Sequence, residues 1–93
     1  MSYQIEVPAS VKKDIRSLPG YVRAEARVLI RELALDPRPA RSKELRGKPN
    51  IYRIWLAGRW RIAYHIDDEA RVIVVLRVER KESIYYEGLE FMG

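Results

Sequence analysis

The stretch Ile51-Tyr-Arg-Ile-Trp-Leu-Ala-Gly-Arg-Trp-Arg-Ile-Ala-Tyr-His-Ile-Asp-Asp-Glu-Ala-Arg-Val-Ile-Val-Val-Leu-Arg-Val-Glu79 decides the fold. Its apolar residues recur with a period of two, the spacing of strands that bury one face. Ile51 to Leu56 reads as one strand, Arg59 to Asp67 as the next and Arg71 to Glu79 as a third. Ala57-Gly58 and Asp67-Asp68-Glu69-Ala70 are the turns between them. Strands joined this tightly form an antiparallel meander.

Upstream of this stretch the period changes to that of a helix. Val11, Ile15 and Leu18 recur at i, i+4 and i+7 behind Pro8, giving a short helix with one apolar stripe. Pro19-Gly20 interrupts it. A second helix is predicted from about Tyr21 to Asp36, with Val22, Ala26, Leu29, Ile30 and Leu33 on one face and Arg23, Arg27 and Arg31 along its flank. Pro37 and Pro39 end it. Tyr3 to Val7 is a short β-type run at an edge or start of the sheet. The order is β-α-α-β-β-β, an α+β fold in which a helical hairpin covers one face of a sheet. Ser83 to Glu90 is readable as a short helix or as a tail. The 93 residues make one domain with one modest core.

Charge is concentrated. Between Arg38 and Tyr64 lie eight basic side chains, Arg38, Arg41, Lys43, Arg46, Lys48, Arg53, Arg59 and Arg61, against the single acid Glu44. That local balance is +7 in a chain of net +5, so the remainder sums to −2. Such a field attracts polyanions. No apolar run nears the roughly 18 residues of a membrane span, and the N-terminus lacks a signal-peptide layout. There is no cysteine and only one histidine, His65, which excludes disulfides, thiol nucleophiles and His-pair zinc sites. A reducing cytoplasm is the simplest home, and no metal or other cofactor is expected.

Alternation sorts the strand residues. Tyr52, Ile54 and Leu56 share one face, and Ile51, Arg53 and Trp55 the other. Trp60, Ile62, Tyr64 and Ile66 share a face, opposite Arg61, Ala63 and His65. The apolar sets meet the helices, so Tyr52, Trp60 and Tyr64 read as core. Arg53 and Arg61 then form a two-guanidinium floor suited to gripping a phosphate. Either arginine alone could simply solvate a half-exposed sheet. Trp55 is the stacking candidate on the open face. His65 has no evident partner for acid–base work. No carboxylate pair, nucleophile elbow or phosphate loop is present. Cations suit RNA cleavage, where the substrate supplies its own 2′-hydroxyl and the enzyme stabilises a phosphorane. A tyrosine among cations would have its pKa lowered toward a useful range.

Over nearly its whole length the chain resembles the RelE/ParE superfamily of toxins. The resemblance rests on Lys43-x-Leu45-Arg46-Gly47, Tyr52-Arg53-Ile54, Gly58-x-x-Arg61-Ile62-x-Tyr64-x-Ile66 and Arg80-x-x-Ser83-Ile84-Tyr85. Its RelE branch implies a metal-independent, ribosome-dependent endoribonuclease that cuts mRNA, with ribosome, mRNA and a cognate antitoxin as partners. By that resemblance Arg53, Arg61, Arg80 and Tyr85 are the catalytic candidates, with Tyr86 one register away from Tyr85. Lys43, Arg46, Lys48, Trp55 and Arg59 are the substrate-binding candidates. Arg80 and Tyr85 are expected to join the Arg53–Arg61 face. Trp55 stands where the branch often carries a second basic residue, so the general base has no obvious occupant. The other branch, ParE, poisons DNA gyrase without catalysis. An RNA- or antitoxin-binding module that has lost activity is a third reading.

Overall fold

The computed structural model describes residues 2–80. Strand β1 (Gln4–Glu6) leads into helices α1 (Ala9–Arg16) and α2 (Gly20–Leu33). Strands β2 (Lys43–Glu44), β3 (Ile51–Leu56), β4 (Trp60–Asp67) and β5 (Val72–Arg80) follow. They form one sheet in the order β1-β5-β4-β3-β2. The meander β3-β4-β5 is antiparallel, as its turns imply, while β1 joins β5 in parallel, with Gln4 opposite Val72. The sheet is therefore mixed.

Two details differ from the sequence reading. The two-residue β2 adds a fifth strand, pairing Lys43 with Arg53 and Glu44 with Tyr52. Two residues carry too little periodicity to be read as a strand. Helix α2 ends at Leu33, before Pro37. The residue preceding a proline is biased away from helical geometry, and the last turn unwinds ahead of it. The Ser83–Glu90 segment lies outside the described residues.

Both helices lie on one face of the sheet. Val11, Ile15 and Leu18 and the α2 stripe of Val22, Ala26, Leu29 and Leu33 pack on Ile54, Leu56, Ile62, Tyr64, Ile66, Ile73, Val75 and Val78. Strands β3 and β4 contribute alternate residues, as the period of two requires, while β5 skips from Val75 to Val78. Arg23, on the flank of α2, does not simply solvate the helix. Its guanidinium donates to the carbonyls of Arg16 and Leu18, 3.2 and 3.3 Å away, satisfying acceptors at the end of α1. The β3–β4 turn is held to α2 by the Ala57 N–H, which donates to Glu25 Oε2 at 2.7 Å. Ala57 and Gly58 both adopt positive φ, 51° and 79°, the backbone that a tight hairpin demands.

A polar cluster ties the far end of the sheet together. Arg38 Nη2 lies 2.7 Å from Asp68 Oδ2, and its Nη1 donates to Oδ1 at 3.2 Å, a bidentate pair. The Arg38 Nε–H donates to the Tyr52 hydroxyl, and the Tyr3 hydroxyl donates to Asp68. These bonds join β1, the loop after α2, β3 and the β4–β5 turn. The Arg38 guanidinium and the Tyr3 hydroxyl hold the Asp68 carboxyl at a pKa of about 2, below the usual 3.8. Nearby, the Tyr64 hydroxyl donates to the Pro37 carbonyl at 2.8 Å, and burial pushes its pKa up to about 12.

Two outcomes follow from this packing. Ile62 is fully buried at the centre of the sheet. Ile62→Ala should cost about 2–5 kcal/mol in urea denaturation, the range for truncating a buried aliphatic side chain. Because the folded-state pKa of Asp68 is depressed, its stabilisation is complete above pH 4 and is lost as pH falls toward 2. Thermal melts of Asp68→Asn should show a lower Tm at pH 6 and a shallower fall between pH 4 and pH 2. The loss should be modest and salt-sensitive, since both partners are substantially exposed.

Candidate active face

The helices leave the second face of the sheet uncovered among the described residues, and register arranges its side chains in rows. One row is Trp55, Arg61 and Glu79 on β3, β4 and β5. The next is Lys43, Arg53, Ala63 and Arg77 on β2 through β5. The third is Ile51, His65 and Val74. On this same face Leu45, Ile51, Ala63 and Leu76 form a small apolar cluster, with Val74 packed against it.

Arg53 and Arg61 thus stand on one face of adjacent strands, as the alternation predicts. Trp55 lies directly opposite Arg61, and the Arg61 guanidinium carbon is 4.3 Å from the centroid of its ring. This is a cation–π contact. It holds the arginine by its charge and by the flat surface of the indole. The ring expected to stack a base is therefore engaged, at least on this side, with the neighbouring cation.

Arg80 does not join this face. It pairs with Trp60, and its guanidinium lies 5.7 Å from the Trp60 ring on the helix side. With Asp14, Ser17 and Leu18 it borders a groove at the end of α1. The cause is local. The register shifts by one between Ala63 and Tyr64, so β5 carries an extra residue opposite that step. The extra residue resets the alternation along the rest of β5. Tyr85 lies outside the described residues.

The same bulge brings forward a residue that alternation alone hides. Val75 and Val78 both pack in the helix-side core, while Leu76 packs in the cluster on the other face. Strict alternation from Val75 would turn Arg77 toward the helices. The bulge sets it opposite Ala63 instead, on the open face. Glu79 likewise stands opposite Arg61.

Of the remaining basic candidates, Lys43 stands beside Arg53. Arg46 and Lys48 flank Gly47 in the β2–β3 turn, where Gly47 has φ 75°. Arg59 is exposed at the tip of the β3–β4 hairpin. Arg38 leaves the cationic field, because Asp68 neutralises it. His65 lies between Ile51 and Val74, neither of which could assist proton transfer. Two tyrosines titrate in the wrong direction for a base. Hydrogen bonding to Asp68 raises Tyr3, and burial raises Tyr64. Among the described residues no cluster of His, Cys, Asp or Glu could hold a metal ion, and no helix is long and apolar enough to cross a membrane. A face bearing Lys43, Arg53, Arg61 and Arg77 has the charge to attract an anion.

Comparison with known proteins agrees with this architecture. The family model of the ParE toxin of type II toxin–antitoxin systems matches residues 5–85. The toxin RelG of Mycobacterium tuberculosis is 30% identical over 90 residues, covering 91% of this chain and 98% of its own. The free structure of an E. coli RelE double-arginine mutant superposes with a TM-score of 0.81 at 29% identity, over all of both chains. The intact E. coli RelBE toxin–antitoxin complex aligns at 30% identity and a TM-score of 0.74, over 85% of this chain and 96% of the other.

If Trp55 holds Arg61 as the geometry indicates, the two are energetically coupled. A double-mutant cycle of Trp55→Ala and Arg61→Ala in chemical denaturation should give a favourable coupling of about 0.5–1 kcal/mol. Additive single-mutant losses would contradict the contact.

Proposed function

The chain belongs to the RelE/ParE superfamily of type II toxin–antitoxin toxins, and from that premise we propose that it is a ribosome-dependent endoribonuclease that cuts mRNA and halts translation. The observation that carries this reading is the Arg61 guanidinium seated on Trp55, one strand from Arg53, on the sheet face opposite the helices. In the reaction the RNA 2′-hydroxyl attacks the adjacent phosphorus. The 5′-oxygen of the next nucleotide leaves, and the 2′-hydroxyl proton passes to a base while the leaving oxygen takes one up. Arg53 and Arg61 stabilise the charge that builds on the phosphorane oxygens. An arginine stays protonated and does not serve as the base. Tyr85 is assigned the acid–base step, and Arg80, on the helix side, is set aside from the phosphate-facing group.

The nucleophile comes from the substrate, so the step as written draws on no metal ion or other cofactor. Lys43, Arg46, Lys48 and Arg59 extend the cationic field along one end of the sheet and are assigned to the RNA backbone. The toxin acts in the cytoplasm, where ribosomes are. A cognate antitoxin holds it inactive. This is supported by the E. coli relative solved with RelB and by a cationic face that favours an acidic partner segment.

The ParE-type family match favours one second reading, inhibition of DNA gyrase by binding alone. Both are tested by adding the protein to an in-vitro translation reaction, mapping mRNA 3′ ends and assaying gyrase supercoiling in parallel. Cleaved message with unaffected supercoiling is expected. Intact message at full dose sinks the nuclease reading, and inhibited supercoiling then selects the second. Arg61→Ala should lower cleavage by roughly a hundredfold, the cost of losing one donor to a developing oxyanion.

A further inference from the structure

We propose that Arg77 is a phosphate-binding residue, forming with Lys43 and Arg53 a row that grips the RNA backbone across the sheet. The inference rests on the nuclease reading for its ligand and adds a residue which that reading does not use.

Three observations carry it. The first is placement. The β4–β5 bulge sets Arg77 opposite Ala63, and Ala63 is opposite Arg53, which is opposite Lys43. Neighbouring strands lie about 4.8 Å apart, so the backbones of Arg53 and Arg77 are roughly 10 Å apart with one small residue between them. Ala63 offers only a methyl group there, and two long cationic side chains can close over it on an anion.

The second is electrostatic. Lys43 and Arg53 are like charges directly opposite each other, an arrangement that destabilises a sheet. Among the described residues, neither Lys43, Arg53 nor Arg77 makes an ion pair, although Arg38 shows that this chain forms bidentate pairs. Among the described residues this row holds three cations and no acid, with Glu79 in the adjoining row opposite Arg61, and cations so aligned are stabilised by an external polyanion.

The third is packing. Arg53 and Arg77 are half-buried, and the apolar cluster of Leu45, Ile51, Ala63 and Leu76 lies on the same face, with Ala63 inside the row itself. Partial burial of long stems beside apolar side chains restricts them while their charged heads can still reach solvent. An arginine restrained in this way loses less freedom on binding.

The test is equilibrium binding of a labelled single-stranded RNA, 2′-O-methylated so that it cannot be cleaved, over a series of salt concentrations. Arg77→Ala should bind five- to tenfold more weakly at low salt. Its log K against log salt should flatten by about 0.7, the loss of one phosphate contact on a single strand. Arg77→Lys should recover the slope. Arg27→Ala, on the helical face, should match the wild type. Wild-type affinity and slope in Arg77→Ala overturn the proposal, as does failure of the wild type to bind this RNA. An oligoglutamate peptide is run in parallel. If Arg77→Ala weakens the peptide but not the RNA, the row docks protein and the proposal falls. The two readings separate cleanly. Wild type that binds through Arg77 but leaves message intact fails as a nuclease and keeps the row. Wild type that cleaves, with Arg77→Ala indistinguishable from it, keeps the nuclease and loses the row.

Discussion

Strand β4 is paired along both edges, so its residues have no freedom except to alternate between the two faces of the sheet. Ile62, Tyr64 and Ile66 must go under the helices, which forces Arg61, Ala63 and His65 to the other side. The position of the cationic side chains on the open face depends on that constraint. A slip of one residue would bury Arg61 unpaired among aliphatic side chains, at a cost of several kcal/mol. The apolar half of the strand thus fixes the position of the cationic half.

Much of this was legible in the sequence because alternation is strong where one face is buried. Strand β3 has the expected bounds, and the two faces of β3 and β4 contain the residues that period two assigns to them. Legibility failed where structure depends on partners distant in sequence. The bulge opposite the Ala63–Tyr64 step cannot be seen in β5 alone, because Val72 to Val75 and Leu76 form a continuous apolar run. The resemblance places Arg80 on the open face, and strict alternation from Val75 hides Arg77; the bulge reverses both. Arg38 counted toward the basic field because nothing local shows that Asp68, thirty residues on, neutralises it. Tyr85 and the segment around it lie outside the described residues.

The cationic segment proves to have three parts with different physical roles. Arg38 staples the loop after α2 to the β4–β5 turn. Arg41, Arg46 and Arg59 lie in loops and turns, where charge is exposed and screened, and Lys48 is half-buried beside Gly47. Lys43, Arg53 and Arg61 stand on the flat of the sheet, where a common backbone sets their spacing. Only this third group has the rigidity that oriented contact with an anion requires. Trp55 belongs with it. Where the RelE branch often has another cation, this chain has a flat ring that restrains Arg61, giving up one charge for the orientation of another.

The parallel pairing of β1 with β5 bears on how the molecule assembles. The contacts among β3, β4 and β5 are local and can form as hairpins. Gln4 must find Val72 across nearly the whole chain, and closing so long a loop is entropically costly until the intervening elements are packed. Strand β1 is therefore made well before the strand it pairs with. Until β5 follows, the Tyr3 hydroxyl has no Asp68 to meet, and the edge that β1 will cover stays open. The sheet that carries the arginines is finished only when its own beginning returns to close it.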